Sequence, residues 1–307
     1  MKEHLTGLIA APHTAMHADG SLNLGMIEKQ AQCLINNGVK GAFVCGSTGE
    51  GISLSTSERV QVVERWKDVV GGTLPIIVQV GHHSLAEAKA LAEHAQNKVG
   101  ARAIASLAPS YFKPRRLEDL ISFCAEVAAA AADTPFYYYH QPGYSGVSFS
   151  MPEFLRVAGE RIANLAGLKY SDGDLMGFGQ CLDLAGDRFD ILFGADEALL
   201  AALALGARGA IGSTYNFAAP LFHDIIRAFE AGDMSGAQAG QRRARELVAV
   251  LIEFGSLTAI KAAMKAIGID CGPCRLPLRT LSDREYEQFY GRLDEIGFFT
   301  YCSKVNS

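Results

Sequence analysis

Eight short β-prone segments alternating with helical stretches predict an α/β protein built as a (β/α)8 barrel. Three observations carry that prediction. The segments begin near Leu8, Ala42, Ile76, Ala103, Phe136, Ala166, Asp190 and Ala210, so successive starts lie about 20 to 34 residues apart, the size of a βα repeat. Several lack polar alternation, as parallel strands covered on both faces do. Their number is eight, which closes a barrel of the TIM type, and neither a G-x-G-x-x-G turn nor a P-loop occurs.

The first segment reads GLIAAPHT and is followed by MIEKQAQCLINNG, an amphipathic stretch that stops at Gly38. After the second segment, GAFVCG, the S-x-x-E pattern Ser55–Glu58 marks a helix start. The third, LPIIVQVG, leads to Ser84–Glu87 and a helix ending at Gly100. ARAIASLAP and TPFYYYHQP are the fourth and fifth, with Ser150–Glu153 opening the helix after them. LAGLKYSD, FDILFGAD and GAIGSTYN complete the eight. From about residue 221 onward the chain reads as helices only, one of them opened by Ser282–Glu285. No linker rich in Pro, Ser or Gly interrupts it, so a single domain 1–307 is expected, with the barrel at about 1–230 and C-terminal helices at about 231–307.

Composition bounds the function. Of 307 residues, 49% are hydrophobic and 20% charged, an ordinary globular balance that excludes a disordered chain. The net charge of −5 gives no electrostatic footprint for nucleic acid, and no basic run suggests a membrane surface. The N-terminus is a poor signal peptide and no apolar run approaches a membrane span. Seven cysteines, an odd number spread along the chain, do not form a disulfide framework. A soluble, cytoplasmic protein is expected.

Chemistry in such barrels sits at the C-terminal ends of the strands. Apart from Arg102 at a strand start, Lys169 is the one Lys or Arg within the strand segments. A lysine directed into a packed barrel loses hydration, which favours the free amine that Schiff-base chemistry on a carbonyl needs. A strand-end lysine curling out to solvent is the alternative. Tyr139, one strand over, could move a proton, or belong to a β-prone aromatic run. Ser47 and Thr48 within Gly46–Gly49 suit a carboxylate or phosphate, or form an ordinary βα loop. Asp196 and Glu197 could accept hydrogen bonds from sugar hydroxyls, or favour the dipole of the next helix.

GSTGE at 46–50, YYYHQP at 137–142, GLKYSDGDL at 167–175 and GSTYN at 212–216 occur in that order. Together they give a chain that resembles the pyruvate-dependent aldolases of the dihydrodipicolinate synthase / N-acetylneuraminate lyase family along its whole length. The resemblance implies a class I aldolase, a carbon–carbon lyase that needs no metal or diffusible cofactor. It implies a Schiff base on Lys169, acid–base work by Tyr139, and a carboxylate held by Ser47 and Thr48, with Ser47 also in a hydroxyl relay to Tyr139. Tyr111 matches a tyrosine that reaches a neighbouring subunit, implying an oligomer, usually a homotetramer. Ser171, Gly194, Asp196, Glu197, Gly212 and Ser213 match positions lining the sugar end.

The implied reaction is reversible cleavage of N-acetylneuraminate to pyruvate and N-acetylmannosamine. A related enzyme acting on another 2-keto acid, such as 2-keto-3-deoxygluconate, and a non-catalytic keto-acid-binding barrel are the alternatives. Tyr144 stands where the synthases of the family carry an Arg for a second carboxylate, and a phenol cannot replace a guanidinium there. His140 and Gln141 depart from the more usual Asn and aliphatic pair. Cys271-Gly272-Pro273-Cys274 copies a thioredoxin tetrapeptide but lies among helices, which favours a turn. His82-His83 and His13…His17 lack the setting of a zinc site, and no metal is expected.

Overall fold

The computed structural model describes residues 4–305. Its eight strands are β1 (Gly7–Ala10), β2 (Gly41–Val44), β3 (Ile76–Gln79), β4 (Ala103–Leu107), β5 (Phe136–His140), β6 (Leu165–Tyr170), β7 (Asp190–Phe193) and β8 (Gly209–Gly212). They close in sequence order into one parallel barrel, β8 pairing with β1. Each starts within one residue of its expected position. Continuous apolar runs identify such strands because the barrel interior and the helix ring cover both faces.

The barrel interior is filled by side chains such as Ile9, Phe43, Ile77, Tyr137, Leu192 and Ile211, with alanines from β4 making room for the aromatics. A larger apolar layer lies between strands and helices and contains Trp66, Tyr138, Phe154 and Phe222. The ring comprises α1 (Met26–Asn36), α2 (Thr56–Val70), α3 (Leu85–His94), α4 (Leu117–Ala129), a short α5 (Pro142–Ser145), α6 (Met151–Arg161), α7 (Leu175–Ala185), α8 (Leu199–Leu205) and α9 (Ala219–Glu230).

All four S-x-x-E serines cap helices, but only two form the reciprocal box. Ser55 and Ser282 exchange bonds with Glu58 and Glu285 in both directions. Ser84 and Ser150 accept from the backbone N–H three residues on. The acidic partners there are diverted: Glu87 accepts from Thr56 Oγ1 at 2.6 Å, and Glu153 pairs with Arg156 at 3.0 Å.

Three further helices follow: α10 (Met234–Glu253), α11 (Leu257–Ala266) and α12 (Asp283–Glu295). Helices α10 and α11 meet at a bend of 113°, which carries the chain across the mouth of the barrel. No single helix among the described residues is long and apolar enough to cross a membrane.

Candidate active site

The site begins with an irregularity in β6. Phe136 pairs with Leu165 but Tyr137 pairs with Gly167, so one extra residue is accommodated between them. Such a bulge shifts the inward and outward alternation by one. Ala166 faces the barrel interior, Leu168 the helix layer, and Lys169 the interior again. A Cβ on Gly167 would stand 2.6 Å from the Asp190 carbonyl carbon, so only glycine lets β6 approach β7 this closely.

Lys169 is 4% exposed. Its Nζ lies 4.0 Å from the centre of the Tyr139 ring and 4.1 Å from that of Phe43, where the ring faces attract a cation. Tyr139 is fixed edge-on against Phe43, and its hydroxyl lies 3.3 Å from Ser47 Oγ. Lysine, phenol and hydroxyl therefore converge from β6, β5 and the loop after β2.

A cavity of about 250 Å3 opens above them. Thr48 and Ser47 line one side, and Ser171, Asp196, Glu197 and Ser213 another. Asp196 is buried, and its Oδ2 accepts from Thr214 N at 3.0 Å and Thr214 Oγ1 at 2.6 Å. Burial raises its carboxyl above the usual range, with the Thr214 bonds opposing that shift. Glu197 is raised as well, chiefly by desolvation. Gly212 is needed because a Cβ there would come within 2.6 Å of Asp196 Oδ2. Gly194 plays the same part for Ser171, whose buried hydroxyl has no hydrogen-bond partner among the described residues.

The chain matches a known family over nearly its entire length. The sequence profile of the dihydrodipicolinate synthetase family matches residues 4–296. The chain belongs to the dihydrodipicolinate synthetase family. N-acetylneuraminate lyase of Rattus norvegicus is 41% identical over 305 residues, covering 98% of this chain and 95% of the rat protein. That of Sus scrofa is 44% identical over 290 residues, covering 93% of this chain and 90% of the relative. The solved structure of N-acetylneuramininate lyase (sialic acid aldolase) from Aliivibrio salmonicida superposes with a TM-score of 0.93 at 44% identity, covering 96% and 98% of the two chains.

Ten of the eleven candidate residues of this member of the dihydrodipicolinate synthetase family line the one cavity. Tyr111 does not. It stands on the surface after β4, 79% exposed, edge-on to the equally bare Phe112. His140 also lies away from the cavity, facing the helix layer between Tyr138 and Tyr170. Gln141 and Tyr144 do line the cavity.

The C-terminal helices supply a wall that sequence reasoning missed, through Leu251 and Ile252 of α10 and Leu257 and Ile260 of α11. Cys271–Cys274 is irregular chain between α11 and α12 rather than the expected turn, which falls just after it at Leu276–Pro277. Cys271 is buried, with its carbonyl accepting from Met16 N at 3.0 Å and its sulfur from Gln30 Nε2 at 3.4 Å. Desolvation pushes its thiol up to about 12, far from a reactive thiolate. His82 and His83 line a neighbouring cavity of about 300 Å3, His13 is buried behind Thr48, and His17 is exposed. No group of three His, Cys, Asp or Glu among the described residues could hold a metal ion.

Proposed function

We propose that this chain is a Schiff-base aldolase, a carbon–carbon lyase that cleaves N-acetylneuraminate reversibly to pyruvate and N-acetylmannosamine. The observation that carries this reading is the buried Lys169 amine over the Tyr139 ring, with the Tyr139 hydroxyl next to Ser47. A keto-acid binder has no use for a nucleophile and a proton carrier side by side. The relatives' names supply the substrate.

In this mechanism the Lys169 amine adds to the C2 ketone of the open-chain sugar and water leaves, giving an iminium. Tyr139 takes the proton of the C4 hydroxyl as the C3–C4 bond breaks. The bond electrons flow into the iminium, giving an enamine, and the aldehyde N-acetylmannosamine departs. Protonation at C3 and hydrolysis then release pyruvate and free Lys169. Ser47 and Thr48 hold the carboxylate, and Ser47 relays the proton of Tyr139. Ser171, Asp196, Glu197 and Ser213 hold sugar hydroxyls, while Gly194 and Gly212 leave room for Ser171 and Asp196. The chemistry needs no metal or diffusible cofactor, because the iminium is the electron sink.

Tyr144 supports an acceptor without a second carboxylate, since the cavity offers a phenol where an ionic partner would be required. The bare aromatic pair Tyr111–Phe112 supports assembly with further copies, Tyr111 completing a neighbour's relay in a homotetramer. The test is pyruvate release from N-acetylneuraminate by the purified protein, with Lys169→Ala as control. Release by the wild type alone is expected; no release from the folded wild type would overturn the substrate assignment.

A further inference from the structure

A buried ion pair joins the C-terminal helices to the loop that carries Ser47 and Thr48. Lys261 Nζ lies 2.7 Å from Glu50 Oε1, with side chains 3% and 2% exposed. The second carboxylate oxygen accepts from Arg275 N at 2.7 Å, and the ammonium also donates to Pro273 O at 2.6 Å. The Cys-Gly-Pro-Cys segment and the residue after it thus contribute one acceptor and one donor to the pair.

Other charges nearby are accounted for. The Arg275 guanidinium is engaged by both oxygens of Glu58. His13, beside Lys261 and Thr48, is kept neutral by burial, which lowers it to about 3. The thiols of Cys271 and Cys274 are both pushed upward by desolvation.

Two features indicate that the pair does more than fill space. Glu50 has φ +53, a left-handed conformation that suits Gly or Asn, so its side chain compensates a strained backbone. A buried ion pair also adds little stability over an apolar pair of similar shape, so stability alone gives it no particular role. What it adds is direction. Within the loop Glu50 N donates to Ser47 O, Gly51 N to Gly46 O, and Thr14 Oγ1 to Gly49 O. Moving the Glu50 carboxylate therefore moves the main chain of Ser47. On α11, Leu257, Ile260 and Lys261 fall at i, i+3 and i+4, so the helical face that walls the cavity also anchors the loop.

We propose that Glu50 and Lys261 are positioning residues, whose buried pair sets loop 46–50 so that Ser47 meets Tyr139 and Thr48 meets the substrate carboxylate. This rests on the aldolase reading for its kinetic consequences, but not for its effect on the loop.

The test uses Glu50→Gln/Lys261→Met, which leaves no unpaired charge buried, and Glu50→Asp, which keeps the charge but shortens its reach by one carbon–carbon bond, about 1.5 Å. Both are expected to fold, with kcat/KM for N-acetylneuraminate down about 100-fold, the cost of displacing a reacting group by about 1 Å. KM should rise as well as kcat fall, whereas partial unfolding lowers kcat alone. Amide exchange at 48–51 in the substrate-free protein should quicken at least tenfold, a readout that needs no substrate. Unchanged exchange in both variants would overturn the proposal, as would wild-type kcat and KM in both. If the double variant does not fold, Glu50→Asp decides alone. An inactive wild type would overturn the aldolase reading, and the exchange data would still decide the role of the pair.

Discussion

Replacing Gly167 by Ala tests whether the close seam between β6 and β7 sets the position of Lys169. The new Cβ would stand 2.6 Å from the Asp190 carbonyl carbon and 2.7 Å from its nitrogen. Carbon atoms rest at about 3.5 Å and the Asp190 carbonyl oxygen stands nearer still, so the strands must part by more than about 1 Å. The obstacle is backbone, which cannot swing aside like the end of a side chain. Gly167 pairs with Asp190 and Lys169 with Leu192, so the displacement lies two residues from the amine. Weakening two or three ladder hydrogen bonds, each worth about 1 kcal/mol, costs about 2–3 kcal/mol. In a chain of 307 residues that corresponds to a fall in Tm of about 3–5 °C. A shift near 1 Å at Lys169, the proposed nucleophile, should lower kcat about 100-fold. The assay pairs differential scanning calorimetry with pyruvate release, using Gly179→Ala as control because its Cβ would meet only Leu205 Cδ2 at 3.8 Å. A Gly167→Ala protein with wild-type Tm and kcat would refute the reasoning.

Other outcomes follow from the same geometry. Ser47→Ala removes the group 3.3 Å from the Tyr139 hydroxyl and should lower kcat about 10- to 100-fold with Tm unchanged; a wild-type kcat would remove Ser47 from the relay. Gly212→Ala pushes the Asp196 carboxylate off Thr214 and should raise KM for the sugar about tenfold, read from initial rates at pH 7. Wild-type stability should decline as pH falls from 6.5 towards 3, because unfolded His13 takes a proton that the folded, buried ring refuses. Urea midpoints across that range should slope less in His13→Phe, and equal slopes would contradict the burial argument.

Strand positions were legible in the sequence because parallel strands covered on both faces leave uninterrupted apolar runs, and βα spacing fixes their order. The inward direction of Lys169 was less legible. It depends on the bulge between Leu165 and Gly167, which no period-2 pattern announces. The buried partners of Glu50, Lys261 and Arg59 were not legible for a different reason. Glu50 and Lys261 are 211 residues apart, and the buried Arg59 donates to the carbonyls of Gln79 and Gly81, partners that exist only once the barrel closes. One hint was present: Lys261 falls on the same face of α11 as the apolar Leu257 and Ile260. Setting the C-terminal helices at about 231–307 apart from the barrel concealed that they wall the cavity.

The central claim is that Lys169 is the nucleophile. Incubating the protein with pyruvate and borohydride, then mapping the reduced adduct by peptide mass spectrometry, tests it most directly. The expected result is one adduct, on Lys169, with none in Lys169→Ala. An adduct on another lysine, or pyruvate release undiminished in Lys169→Ala, would contradict it.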